Sequence, residues 1–275
     1  MADHRPIGIF DSGVGGLTVA REVFKLLPQE HVVYFGDVGR TPYGGRSKEI
    51  ITHFTRQDLT FLSEQNVKFI ICACNTVSSV ALDELRNEFK IEMIGVIEPG
   101  ARAAAEKTKS GRIGIIGTQA TINSNAYARY IHQIDPKLKV FSLACPLFVP
   151  LVEEGYIDKE ATHLIARDYL RTMQDVDVDT LVLGCTHYPL LKDVISGVMG
   201  HKVVLIESGE VIAKVVNRFL ADNGLLNPPA SPKPRSRKGE QKFFVSDVPD
   251  KFTNLASRFL GQPVDKVTRV DISEY

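Results

Sequence analysis

Short apolar runs recur along the chain, each ending in a glycine-rich or polar turn and followed by a stretch with helical spacing. The runs show little polar alternation, so they read as strands buried on both faces of a parallel sheet. The pattern predicts strands over 6–10, 31–35, 67–73, 93–97, 112–118, 139–142, 181–184, 203–206 and 243–245, with the chain closing over 267–272. It predicts a helix ending near Leu27 and others over 47–65, 77–89, 101–107, 161–173, 210–221 and 252–260. Pro99-Gly100 reads as a break, and 145–150 as a loop. Strands alternating with helices indicate an α/β fold.

Two stretches of this pattern match. Ile70-Ile71-Cys72-Ala73-Cys74-Asn75-Thr76-Val77 resembles Leu181-Val182-Leu183-Gly184-Cys185-Thr186-His187-Tyr188. In each, a strand runs into a cysteine, then a polar turn, then a helix. Asn75 and Thr76 read as N-caps of a helix starting near Val77. Pro189 sits where a first helical turn accepts proline. Parallel sheets bind ligands at this rim, and a helix N-terminus lowers a thiol's pKa. A buried free cysteine is ordinarily a small hydrophobe, but two in matching settings favour function. The 112–118 run also resembles Ile7-Gly8-Ile9-Phe10-Asp11 at nearly the same spacing. These matches predict two similar doubly wound, flavodoxin-like domains related by pseudo-symmetry, with the active site between them. The expected division is 1–97 with 207–275, the C-terminal segment returning to the first sheet, and 98–206.

The turns supply further candidates. Asp11-Ser12-Gly13-Val14-Gly15-Gly16 follows the first strand, but Thr18 stands where a dinucleotide fingerprint needs glycine, and no P-loop lysine follows. What remains is an N–H-rich turn that suits a carboxylate. Asp11 itself reads equally as a capping aspartate. The loop with Pro42-Tyr43-Gly44-Gly45 could meet a second anionic group, or merely connect two elements. Thr118, Thr121 and Asn123 offer hydroxyls and an amide, while Glu153 and Glu154 stand near the same rim. Cys145 reads as structural. His187 follows Cys185 by two positions and can serve that thiol with a proton or hydrogen bond.

Composition narrows the classes. The 275 residues are 44% hydrophobic, enough for a substantial core. Lys+Arg and Asp+Glu both number 33, which gives no footprint for nucleic acid or an acidic membrane. No apolar run approaches a membrane span, and the N-terminus lacks a secretory apolar region. Four cysteines make no disulfide scaffold and suit a reducing cytoplasm. Cys72 and Cys74 are expected to face apart and not to pair. The basic, proline-rich stretch 227–239 is expected to be a mobile surface loop.

Two thiols facing one small substrate from opposite sides suit inversion at a carbon acid: one removes a proton, the other delivers one. N–H and hydroxyl donors would stabilise the carbanionic transition state. At this point the chain resembles the glutamate racemases, cofactor-independent bacterial enzymes that make D-glutamate for peptidoglycan. The matching motifs are Gly8 to Thr18, Pro42-Tyr43-Gly44, Ala73-Cys74-Asn75-Thr76, Cys145-Pro146-Leu147 with Val152-Glu153, and Gly184-Cys185-Thr186-His187-Tyr188-Pro189. The resemblance implies Cys74 and Cys185 as acid/base residues, with Asp11, His187 and Glu153 as assistants. It implies Asp11, Ser12, Tyr43, Gly44, Asn75, Thr76, Thr118, Thr121, Thr186 and His187 as substrate-binding positions. It also implies a homodimer, a small-molecule substrate and neither cofactor nor metal. The basic loop departs from the family pattern. Three alternatives stay open: an isomerase for aspartate, hydantoins or maleate, a metal protein with Cys74, Cys185 and His187 as ligands, and a non-catalytic ligand-binding module.

Overall fold

The computed structural model describes residues 3–227, 238–264 and 266–275. Its strands are β1 (Ile7–Asp11), β2 (Val32–Gly36), β3 (Phe69–Cys72), β4 (Met93–Gly95), β5 (Arg112–Gly117), β6 (Lys139–Ala144), β7 (Thr180–Gly184), β8 (Val204–Glu207), β9 (Gln241–Val245) and β10 (Val267–Arg269). Its helices are α1 (Leu17–Leu26), α2 (Lys48–Glu64), α3 (Asn75–Val80), α4 (Leu82–Leu85), α5 (Ile97–Lys107), α6 (Gln119–Asn123), α7 (Ala126–Ile134), α8 (Phe148–Glu153), α9 (Glu160–Asp175), α10 (Lys192–Met199), α11 (Ser208–Asp222) and α12 (Pro249–Leu260).

The strands form two parallel sheets, ordered β10-β9-β2-β1-β3-β4 and β6-β5-β7-β8. The inner order β2-β1-β3-β4 of the first repeats as β6-β5-β7-β8 in the second. Every residue of β1, β2, β3 and β7 is buried, which is why these segments read as unbroken apolar runs. The C-terminal segment adds β9 beside β2, in register Phe35 with Phe244. One buried apolar cluster runs without a break from Ile9 and Leu17 of the first sheet's half to Leu183 and Leu170 of the second's. Separate clusters fill the other face of each sheet.

Four local expectations need correction. Pro99-Gly100 does not break the chain: α5 runs through it, with Pro99 in the first turn, where a missing N–H forfeits no intrahelical bond. The 77–89 helix is instead α3 and α4, and α3 begins at Asn75, directly after Cys74. Asn75 and Thr76 are thus inside the helix, and their side chains are free for other work. The 145–150 loop winds into α8, whose last residue is Glu153. Finally, positions two apart on one strand would share a face. Cys72 ends β3 and Cys74 precedes α3; both lie in one buried cluster as free thiols, Cys72 beside Ser78 Oγ and Cys74 beside Ser12 Oγ. Of the basic loop 227–239, positions 228–237 lie outside the described residues.

At the rim opposite the strands' C-terminal ends, Lys68 and Glu30 form a buried ion pair at 2.6 Å. Lys68 Nζ also donates to the carbonyls of Asp3 (2.8 Å) and Leu225 (2.7 Å). Such a pair contributes little net stability but is costly to break singly. It ties the N-terminal segment, β3 and the tail of α11 together.

Candidate active site

The C-terminal ends of β1, β3, β5 and β7 carry most of the predicted residues, and the two sheets bring them together. Asp11 ends β1 and is 1% exposed. The Gly13 N–H donates to its Oδ2 at 3.0 Å, and the Thr186 hydroxyl approaches Oδ1 at 3.4 Å. Burial raises the Asp11 carboxyl above its ordinary range, against the charge of His187 and the N–H groups of Gly16 and Gly13. The turn after β1 presses directly on the Cys185 loop. A Cβ at Gly15 would stand 2.3 Å from Thr186 Oγ1 and 2.5 Å from His187 Nδ1. Glycine is required there for close approach. Thr18 Oγ1 fastens the contact by donating to the Thr186 carbonyl at 3.0 Å.

Cys74 and Cys185 occupy equivalent places but differ in company. The Cys74 sulfur lies 3.2 Å from Ser12 Oγ. The N–H groups of Val77 and Ser12 also point at it. Burial, reinforced by the Asp11 charge, nevertheless pushes this thiol up to about 12. The lowering expected from the helix N-terminus is therefore outweighed at Cys74. The Cys185 sulfur instead faces an imidazole, with His187 Nδ1 at 3.9 Å. His187 Nε2 pairs with Glu153 Oε1 at 2.9 Å. Burial opposes a charge on His187, but hydrogen bonds and charges from Cys185 and Glu153 prevail and raise it to about 10. Phe259 of α12 packs edge-on against the imidazole, centroids 5.1 Å apart.

A hydroxyl cluster links the halves. Thr76 Oγ1 lies 2.9 Å from Thr118 Oγ1 and 3.5 Å from Thr121 Oγ1, and Thr118 and Thr121 are 3.0 Å apart. The Gly44 carbonyl accepts from Ala120 N–H at 3.0 Å, and a Cβ on Gly44 would meet Thr118 Cβ at 2.8 Å. Tyr43 is placed differently. Its hydroxyl donates to Asp37 and lies 3.3 Å from Asp58, inside the first half. Arg40 joins both carboxylates and stacks over Phe54. The Tyr43 side chain thus anchors its loop. Asn123 is turned aside to Gln119, and Glu154 is exposed. Cys145 is buried, with its thiol toward the Leu143 carbonyl.

Sequence reasoning missed Tyr127, whose hydroxyl donates to Asn75 Oδ1 at 2.7 Å. It also missed Arg258, which donates to the carbonyls of Val152 (2.9 Å) and Glu153 (3.1 Å) at the end of α8. Both act across the two halves, and no local motif announces them. Among the described residues, no three His, Cys, Asp or Glu side chains are arranged to hold a metal ion. No described helix is long and apolar enough to cross a membrane.

The Asp/Glu/Hydantoin racemase family pattern matches residues 33–216. The glutamate racemase of Geobacter metallireducens is 49% identical over 268 residues, covering 98% of this chain and 97% of that one. A crystal structure of a Bacillus anthracis glutamate racemase isoform superposes with a TM-score of 0.92 at 40% identity, covering 98% of each chain. The Francisella tularensis glutamate racemase, crystallised with D-glutamate, gives 0.91 at 39% identity, covering 99% of this chain and all of that one (100%).

Proposed function

The chain belongs to the Asp/Glu/hydantoin racemase family, among its glutamate racemases, and from that premise we propose how the two thiols divide the reaction. The protein interconverts L- and D-glutamate. Starting from L-glutamate, Cys185 as thiolate takes the α-proton, and Cys74 as thiol delivers one to the opposite face. The C–H electron pair moves onto the α-carbon and its carboxylate, then returns to form the new C–H bond. Donors poised where that charge develops lower the barrier. Ser12, Asn75, Thr76, Thr118, Thr121, Thr186 and backbone groups of the Tyr43-Gly44 turn line the substrate's place. Asp11 assists at Cys74. His187, oriented by Glu153, assists at Cys185.

The observation that carries this reading is the opposite electrostatic setting of two equivalent cysteines. A carboxylate and hydrogen-bond donors surround Cys74, whereas an imidazole held charged to about pH 10 faces Cys185. Isotope incorporation tests it. L-glutamate racemised in D₂O and stopped early should yield D-glutamate carrying α-deuterium, while the remaining L-glutamate stays largely protiated. Starting from D-glutamate should give the mirror pattern. Protium-rich product at early times would mean a single shuttling base and would overturn the scheme.

Several coarser features complete the proposal. Residues 1–97 with 207–275 form one domain and 98–206 the other, supported by the strand partition between the sheets. Neither pyridoxal phosphate nor metal takes part, since two thiols suffice for proton exchange. Activity should survive EDTA and hydroxylamine treatment, and recovery only on adding back a cofactor would refute this. The protein acts as a cytoplasmic homodimer, and its D-glutamate serves peptidoglycan synthesis, hence cell-wall biogenesis and cell shape. Four buried free cysteines support the compartment. Exposed Leu147, Tyr156 and Leu164 support a partner surface, and sedimentation as a monomer at assay concentration would count against it.

A further inference from the structure

We infer that Tyr127 is a positioning residue that sets which end of the Asn75 amide faces the substrate. The inference rests on the proposed reading of Asn75 as a substrate contact. Tyr127 lies on α7 in the second sheet's half, and Asn75 begins α3 in the first, directly after Cys74. Both are 2% exposed. The phenol donates to Asn75 Oδ1 at 2.7 Å. The amide has one acceptor end and one donor end. With the oxygen taken, Nδ2 points away from the phenol. That NH₂ group is buried and has no protein partner among the described residues.

A buried donor left without a partner is costly, so a native protein that keeps one is keeping it for something. The substrate of the proposed reaction is an amino acid with two carboxylates. An outward-facing NH₂ binds a carboxylate, whereas an outward-facing carbonyl oxygen repels one. The two orientations differ by a half-turn of the side-chain amide and have nearly the same shape. Only a hydrogen-bond partner can choose between them, and Tyr127 is that partner.

The phenol ring is itself fixed against the other catalytic strand. A Cβ at Gly184, the residue before Cys185, would meet Tyr127 Cε2 at 3.3 Å, and one at Gly100 would meet Cε1 at 3.2 Å. Tyr127 therefore registers the side chain after Cys74 against the peptide before Cys185. A shift of one half against the other would move the amide as well.

Tyr127→Phe removes the hydroxyl and keeps the ring. KM for both enantiomers should rise by about tenfold, the size of a lost hydrogen bond to a charged group, while kcat changes by less than about threefold. The decisive measurement is the double-mutant cycle with Asn75→Ala. In the Asn75→Ala background, Tyr127→Phe should change KM by less than about twofold, because no amide is left to orient. Melting temperatures and calorimetric titration with D-glutamate on all four proteins separate a folding defect from lost affinity. Asn75→Ser replaces Asn75→Ala should the latter not fold. A Tyr127→Phe effect that persists undiminished without the Asn75 amide would overturn the inference, as would an unchanged KM in the single Tyr127→Phe variant. If Asn75→Ala itself leaves KM unchanged, Asn75 is no substrate contact, and both the inference and that part of the site reading fall. If Asn75→Ala raises KM and Tyr127→Phe does not, only the inference falls.

Discussion

Cys74 and Cys185 stand at corresponding places in two sheets of the same strand order, yet their surroundings are almost opposite. Cys74 has a carboxylate neighbour, a serine hydroxyl and two backbone N–H groups, with its thiol pushed up to about 12 by burial and by Asp11. Cys185 has an imidazole at 3.9 Å, itself backed by Glu153. Equivalent backbone geometry thus says where a thiol sits, and the side chains around it say which proton it holds. A cationic neighbour is what a sulfur anion needs, and an anionic neighbour favours the neutral thiol. On the proposed scheme, Cys185 is the base and Cys74 the acid when L-glutamate is the substrate. Turnover to D-glutamate leaves the opposite protonation, which must reset before the next cycle in that direction.

Removing either thiol breaks the comparison outright. Cys74→Ala and Cys185→Ala should each lower kcat/KM by about 10³-fold or more, the upper range for one general acid or base. Circular dichroism of the variants should show an intact fold. Because the equilibrium mixture of enantiomers is racemic by symmetry, kcat/KM must fall equally in both directions for every variant. If either alanine variant kept a tenth or more of wild-type activity, the two-thiol assignment would be wrong.

His187→Gln is expected to be next in size, at about 10²-fold in kcat/KM, since it deletes the cation beside Cys185 and leaves Cys74 untouched. The pH dependence carries more information than the loss. His187 is raised from about 6.5 to about 10 in the folded protein, with burial opposing and with Cys185 and Glu153 favouring the charge. A raised histidine stabilises the fold fully below its unfolded pKa and loses that contribution as pH climbs through the folded value. Wild-type protein should therefore shed both stability and kcat/KM toward pH 10, whereas His187→Gln should lack that limb. An identical alkaline limb in the variant would show that another group sets it.

How legible all this was depends on whether a feature is local. The strand–Cys–turn–helix units are local, so both cysteines and His187 stand out from spacing, whereas Asp11 and Ser12 read equally as turn residues until the resemblance to a known family is added. The repeated strand order follows from the same apolar runs. What the chain hides are pairings between distant segments. Tyr127 reaches Asn75 across 52 positions and Arg258 reaches Val152 across 106, with nothing in either neighbourhood to mark them. Helix starts were misread for a related reason. Asn75 resembles a cap because its amide prefers local backbone partners, but here a phenol from the other half claims it. Tyr43 stands out because its Gly- and Pro-rich loop follows a strand, but only packing reveals the phenol buried against Asp37 and Asp58.

Glu153→Gln should sharpen the comparison with a smaller effect, about tenfold in kcat/KM. The amide can still accept from His187 Nε2, so orientation survives while the charge is lost. The alkaline limb should then move to lower pH, because one of the partners that raise His187 no longer carries a charge. The double variant with His187→Gln should fall little below His187→Gln alone, since Glu153 works through that ring. Full additivity would mean that Glu153 acts on the substrate or on Cys185 by another route.

The smallest effect is expected at the two remaining thiols, and it separates a sulfur that reacts from one that merely packs. Cys72 is fully buried in the first half, and its sulfur meets Ser78 Oγ at 3.2 Å. That same hydroxyl donates to the Cys72 carbonyl and accepts from Val96 N–H, so the hydrogen bonds around it are already satisfied. Cys145 lies near Cys185, but its thiol points to the Leu143 carbonyl, while its own carbonyl accepts from the Tyr188 phenol at 2.8 Å. Burial pushes Cys145 up to about 12, so at working pH it is a neutral thiol with no charged partner to ionise it. Cys72→Ala and Cys145→Ala should each keep kcat/KM within about twofold of wild type and lose about 1 kcal/mol of stability, the ordinary consequence of truncating a small core side chain. Steady-state assays beside denaturant melts would measure both quantities on the same preparations. A tenfold or greater activity loss at Cys145→Ala with unchanged stability would bring a third sulfur into the chemistry. The asymmetry around Cys185 would then have to be drawn again with Cys145 inside it.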